Sequence, residues 1–242
     1  MLVRLIQAEQ MKLRRSPMWI VCIVLPIFSA FLGTANYLGN IGILKKEWYS
    51  LWTQHTLFVS YFILPVMLGV FCSYLMRLEH NNHNWNKMLS LPVSRKLIFV
   101  AKLASVTKLI LLTQLWIAVL FVISGKIAGL TEPPPIHLMF MWGAFGTLGG
   151  MVTASIQLLL SAYIKSFALP IGISFIGGIS GIIALVKGFG HLWPYALMSY
   201  GMSSNAPQQI TQGNYSFFVI LCILYIVLLV FVANRLMSRK SF

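Results

Sequence analysis

The chain has 242 residues, of which 58% are hydrophobic and only 9% charged, and its formal net charge is +14. A soluble domain carries roughly 25% charged residues, so this composition excludes a single water-facing globule and argues for an integral membrane protein. The basic excess then concerns topology and not nucleic acid, because Lys and Arg collect on the cytoplasmic side of membrane proteins.

Residues 1–16 read as an amphipathic helix lying at the membrane surface. Leu2, Leu5, Ile6 and Leu13 share one face, and Gln7, Met11, Arg14 and Arg15 the other. Glu9 falls inside the apolar arc. It either pairs with Lys12 one turn on or reaches a cation on an adjacent element. Glu9, Lys12, Arg14 and Arg15 are the candidate residues of this helix.

A span takes roughly 20 apolar residues. Runs of that kind follow at about 17–38, 54–76, 103–125, 137–162, 168–186 and 215–234. A helix satisfies its own backbone within lipid, so the expected fold is all-α, one transmembrane domain of six spans over 1–242. No cleavable signal peptide is expected, since the first run is long enough to span and no small-x-small site follows cleanly. Pro26 and Pro65 predict kinks inside spans. Gly146 with Gly150, and Gly177 with Gly181, have the spacing that lets helices approach closely, within one chain or between two.

All Lys and Arg except Lys45, Lys46, Lys126 and Lys187 fall on one side of this layout. Both termini and the segment 77–102 are therefore expected in the cytoplasm. The outer loops lie around Lys45, at 131–135 and over about 188–214, where Trp193, Tyr195 and Tyr200 read as interface aromatics.

Little in the chain points to catalysis. Residues 178–181 carry the Gly-x-Ser-Gly pattern of rhomboid-type intramembrane proteases, but the sixth span offers Ser180 no histidine base. His80 and His83 share a helical face without an obvious third ligand, so no metal is expected. Cys22, Cys72 and Cys222 sit in apolar runs with no paired spacing and read as small buried hydrophobes.

None of the four glutamates stands mid-span, and the chain has no aspartate. An ion-coupled carrier needs such a relay. The chain also lacks a phosphate-binding Gly-x4-Gly-Lys-[Ser/Thr] loop. A transporter built on it must take its energy from another subunit. Gln114 and Gln157, with Thr113, Thr153 and Ser155, are the polar groups near mid-span. They either line a pathway or bond between helices.

The polar segment 77–102 is the exception to an otherwise apolar chain. Trp85, Met88 and Leu89 are spaced i, i+3, i+4 on a short predicted helix ending before Pro92, the pattern of a helix docked in a partner's groove.

With these residues in view, the chain resembles the permease subunits of type-two ABC exporters. Glu9 to Arg14 is similar to that family's Glu-x-x-Lys-Leu-[Lys/Arg] helix. Glu79 followed by "NWNKMLSLPVSRKLIFVAKL" is similar to its cytosolic segment, including Leu-Pro-Val-Ser-Arg. The wording "NNHNWNKMLSLPVSR" is closest to the small permeases of lantibiotic self-immunity and bacitracin resistance. The resemblance implies a coupling helix between the second and third spans, carried by Glu79, Trp85, Met88, Leu89 and Arg95. It implies a dimer of permease subunits, the same or a sister chain, above two ATPase subunits that hold ATP and Mg²⁺. This chain would hold no cofactor of its own. The cargo would be an amphipathic peptide antibiotic taken from membrane lipid and expelled from the plasma membrane of a bacterium, with the outer loop that holds Trp193 at the exit. The competing expectation is a membrane anchor or sensor that binds a peptide or lipid without turnover.

Overall fold

The computed structural model describes residues 1–45, 47–81, 84–85, 93–204 and 215–239. Among them it is helical throughout, with no strand. The elements are α1 (Leu2–Leu13), α2 (Met18–Gly39), α3 (Trp48–Phe58), a π turn (Val59–Ile63) and α4 (Leu64–His80). They continue with α5 (Arg95–Ile127), α6 (Ile136–Tyr163), α7 (Ala168–Val186), α8 (Leu197–Gly201) and α9 (Tyr215–Arg239). Six stretches are long and apolar enough to cross a membrane: α2, α3 through α4, α5, α6, α7 and α9.

The second and third of these are 33 residues each. At ~1.5 Å per residue each is about 50 Å long, against a hydrocarbon core of ~30 Å. Both therefore extend beyond the lipid. The second begins at Trp48, earlier than the apolar run suggests, because its first turns are held by aromatic packing. Trp52 stacks on Trp142 at 4.5 Å and meets Phe121 edge-on at 5.0 Å. The third begins at Arg95, also earlier, where the Ser94 side chain caps the helix by accepting from the Leu97 amide.

α2 packs against α3 and α5, α4 against α6 and α7, and α9 against α5 and α6, while α1 runs along α5. The outward residues of α2 and α9, such as Phe28, Phe31, Val227 and Phe231, are apolar and exposed, as lipid contact requires.

The kink expected at Pro65 takes the form of the π turn just before it. Proline has no N–H to return to the carbonyl of Tyr61, four residues earlier. α7 comes up against that carbonyl. A β-carbon at Gly178 would lie 2.4 Å from the Tyr61 oxygen, so only glycine fits. Ser174 fixes the same contact by donating to the Pro65 carbonyl at 2.5 Å.

The segment expected as an outer loop is exposed at 188–189 and 192–193 but turns into the bundle after them. From 196 to 204 it is buried apart from a partly covered Tyr200, and α8 sits within it against α6. Its backbone is held by side chains from the spans. Trp52 Nε1 donates to Met202 O at 2.8 Å and Tyr49 Oη to Ser203 O at 3.2 Å, and Thr56 Oγ1 shares its proton between Trp52 O at 2.8 Å and Ser204 O at 3.3 Å. Thr153 donates to Pro194 O and Tyr225 to Leu192 O. A non-helical backbone is tolerated at depth only when protein satisfies it in this way. The glycines of α6 and α7 make room for the segment: a β-carbon at Gly149 would lie 2.4 Å from Leu197 O, and one at Gly177 would lie 2.5 Å from the Tyr195 ring. These glycines thus serve close approach within the chain. Tyr195 accordingly points inward and not to an interface.

Gly149→Ala is expected to destabilise the purified protein by ~1–3 kcal/mol, since overpacking forces the re-entrant segment to shift. Gly172→Ala meets nothing within 4 Å. It should leave the melting temperature in detergent unchanged, and equal melting of the two variants would refute the packing role of Gly149.

Candidate functional site

At the end of the bundle that carries α1, three elements meet around four charges. Lys102, on α5, has its Nζ 2.9 Å from Glu9 Oε2 and 2.7 Å from Glu79 Oε1. Lys12 Nζ lies 2.7 Å from Glu9 Oε1 and 2.5 Å from Glu79 Oε1. Each carboxylate thus bridges both ammonium groups, and the ring joins α1, the end of α4 and the start of α5.

The cluster is buried. The Lys102 side chain is 0% exposed, and those of Glu9 and Glu79 only 5% and 3%. Two acids and two bases cancel, and this is what makes the burial tolerable. A buried charge without its partner costs several kcal/mol, whereas a matched set approximately breaks even. For Lys12, burial works against the charge, but the carboxylates of Glu9 and Glu79 outweigh it and hold the ammonium's pKa above its ordinary value. The Glu9 alternatives left open by the sequence are both realised: the in-helix pair with Lys12 and the reach to another element.

The polar segment leaves α4 beside this cluster, and its first residues fold back onto the bundle. Trp85 is buried, and its Nε1–H donates to His80 Nδ1 at 3.1 Å. An indole nitrogen only donates, so the ring proton of His80 sits on Nε2. That nitrogen donates to Ser161 O at 3.0 Å, at the end of α6. Asn84 closes the turn by donating to Leu78 O at 2.8 Å. Trp85 is therefore turned inward, onto His80. Met88 and Leu89 lie outside the described residues. Where the segment rejoins the bundle, the Arg95 guanidinium donates to the Met237 carbonyl near the end of α9.

Of the remaining candidates, Arg14 and Arg15 are exposed and take no part in the cluster. Nearby, Lys108 donates to Gln10 Oε1 at 3.1 Å, a second tie between α1 and α5. Gln157 and Gln114 face the re-entrant segment: Gln157 donates to Tyr195 Oη at 2.7 Å, and Gln114 Nε2 stands 3.5 Å from Met202 Sδ. Thr113 and Ser155 are satisfied within their own helices. Trp193 donates to Ser180 Oγ at 2.9 Å, and that hydroxyl donates to Gly177 O. Among the described residues no group of three or more His, Cys, Asp or Glu could hold a metal ion.

Two residues of this site escaped the sequence reading. Lys102 interrupts the stripe Ile98, Lys102, Ser105, Leu109, all buried, and a lysine in an apolar stripe signals a buried partner. His80 gave no such signal, because its two partners are distant in sequence or carry no motif.

Lys102→Met should cost ~3–5 kcal/mol, the penalty for leaving buried carboxylates short of a partner. Glu79→Gln combined with Lys102→Met leaves Glu9 and Lys12 as a neutral pair and should recover most of that loss. Melting of both variants in detergent measures it, and a double variant no more stable than the single would contradict the charge-matching account.

Residues 5–181, most of the chain and all four members of the charge cluster, match the family model described as ABC-2 family transporter protein. No curated protein and no solved structure matches. A bundle of six candidate spans and a match of this extent lead to one conclusion: the chain belongs to the ABC-2 transporter family and is a membrane permease subunit that works with a separate ABC ATPase subunit.

Proposed function

We propose that this permease drives export of an amphipathic peptide antibiotic, of the lantibiotic or bacitracin class, out of the lipid of a bacterial plasma membrane. In this reading the α1 end and both termini face the cytoplasm, as the distribution of Lys and Arg favours. Two permease subunits, identical or sister chains, stand over an ATPase dimer that carries ATP and Mg²⁺. The peptide class rests on the resemblance of the segment around Trp85.

The observation that carries the coupling role is the four-charge ring. It locks α1, α4 and α5 together at the point where the polar segment leaves and rejoins the bundle. A push on that segment cannot be absorbed by sliding of α4 past α5, since sliding would separate buried charges. The push therefore moves the second and third spans as one. The second span continues through the π turn to α3, whose Tyr49, Trp52 and Thr56 hold the re-entrant segment. Closure of the ATPase dimer would in this way loosen the outer end of the bundle. Trp85 and His80 tie the start of the segment to the bundle, and Met88 and Leu89 would be its grip on the ATPase.

The test is reconstitution with the cognate ATPase in vesicles, following ATP-dependent loss of membrane-bound peptide. The Glu79→Gln/Lys102→Met variant should bind the ATPase and hydrolyse ATP but export roughly tenfold more slowly, as a loss of ~1.4 kcal/mol of coupling would give. Export at the wild-type rate by this variant would remove the ring from the mechanism. Hydrolysis that moves no peptide in the wild type would replace the exporter reading with that of an anchor or sensor. Separately, Met88→Ala with Leu89→Ala should reduce recovery of the ATPase on pull-down, and full recovery would sink the grip.

A further inference from the structure

Between α2 and α5, towards the end remote from α1, a groove of about 370 Å³ opens on the lipid-facing surface. Its walls are apolar, among them Ile27, Phe31, Leu38, Ile123 and Ile127, and no charged residue lines it. This volume falls within the ~300–1,000 Å³ of ordinary ligand sites. Behind it lies a cavity of about 10 Å³ lined by Ser29 and His55 and sharing Ala30 and Leu120 with the groove. That is roughly the space of one water or one hydroxyl group.

The polar groups of the cavity are unusual for their depth. Ser29 is 2% exposed, and its Oγ has no hydrogen-bond partner. Thr34 donates its hydroxyl proton to Ala30 O at 2.7 Å, so it accepts from His55 Nε2 at 3.1 Å. His55 Nδ1 is then left with a lone pair. A buried hydroxyl without a partner in a helix that otherwise satisfies its polar groups points to a guest that supplies one.

We propose that groove and cavity form a lateral binding site for a neutral, hydroxyl-bearing amphiphile from the lipid phase. Its alkyl chain lies between α2 and α5. Its hydroxyl passes Ala30 and Leu120, accepts from Ser29 Oγ and donates to His55 Nδ1. A charged head group is disfavoured, because nothing lining the site would compensate its desolvation.

The test uses the full chain in phosphatidylcholine nanodiscs without any ATPase, so its outcome is independent of the export reading. The probe is a long-chain alkanol bearing a diazirine on its chain, with adducts mapped by mass spectrometry. Adducts should concentrate on 27–38 and 120–127, and dodecan-1-ol should compete severalfold better than dodecane. Ser29→Ala, which removes only an unpartnered hydroxyl, should fold normally and bring the two competitors close to parity. Adducts spread equally over the outward faces of α7 and α9 would mark bulk lipid contact and overturn the site. So would equal competition in the wild type, or an alcohol preference that survives Ser29→Ala.

Discussion

A buried ammonium between two buried carboxylates governs this architecture. Lys102 has no exposed surface, so α5 can be placed only where Glu9 and Glu79 reach it. That requirement fixes α1 along α5 and sets the height of α4 beside it. Lys12 closes the charge balance from the partly exposed side of α1. Interactions of this kind add little net stability over apolar packing but penalise every other arrangement. The ring therefore acts on the register of α1, α4 and α5 more than on adhesion, and the coupling role proposed above would rest on that register.

The opposite end is organised by the same economy of polar groups with neutral partners. The re-entrant segment brings backbone carbonyls into the bundle, and Tyr49, Trp52, Thr56, Thr153 and Tyr225 answer them. Each is a single neutral hydrogen bond, worth ~0.5–1.5 kcal/mol net. Such contacts can be exchanged for water one by one, unlike the charge ring. The second span is thus held by matched buried charges at one end and by separate neutral hydrogen bonds at the other.

Much of this was legible from the chain. Hydropathy alone gives six spans and an all-helical fold, because a helix in lipid must be apolar along its length. The pairing of Glu9 across elements was one of two readings, and wheel geometry could not choose between them, since Lys12 sits within reach either way. The re-entry of 196–204 was hidden because its residues, "ALMSYGMSS", are neither long nor apolar enough to resemble a span. Its clue lay elsewhere, in glycines at 146, 149 and 177 whose missing side chains leave space for the Met202 side chain, the Leu197 backbone and the Tyr195 ring. Trp85 misled for a related reason: its spacing with Met88 and Leu89 suits a partner's groove, but spacing does not say whether a ring faces outward or folds back onto its own histidine.

The π turn at Val59–Ile63 has a geometric consequence for the length of the second span. A π turn accommodates one residue beyond the α-helical count. Removing a single residue there would restore an unbroken helix and rotate everything above it by about 100°, one step of a helix with ~3.6 residues per turn. Tyr49, Trp52 and Thr56 would then face away from the carbonyls they serve, with Glu79 still in its place below. The extra residue is thus a phase adjustment, letting one continuous rod present a charged face to its base and an aromatic face to its crown at an angle that no uninterrupted helix of this sequence would supply.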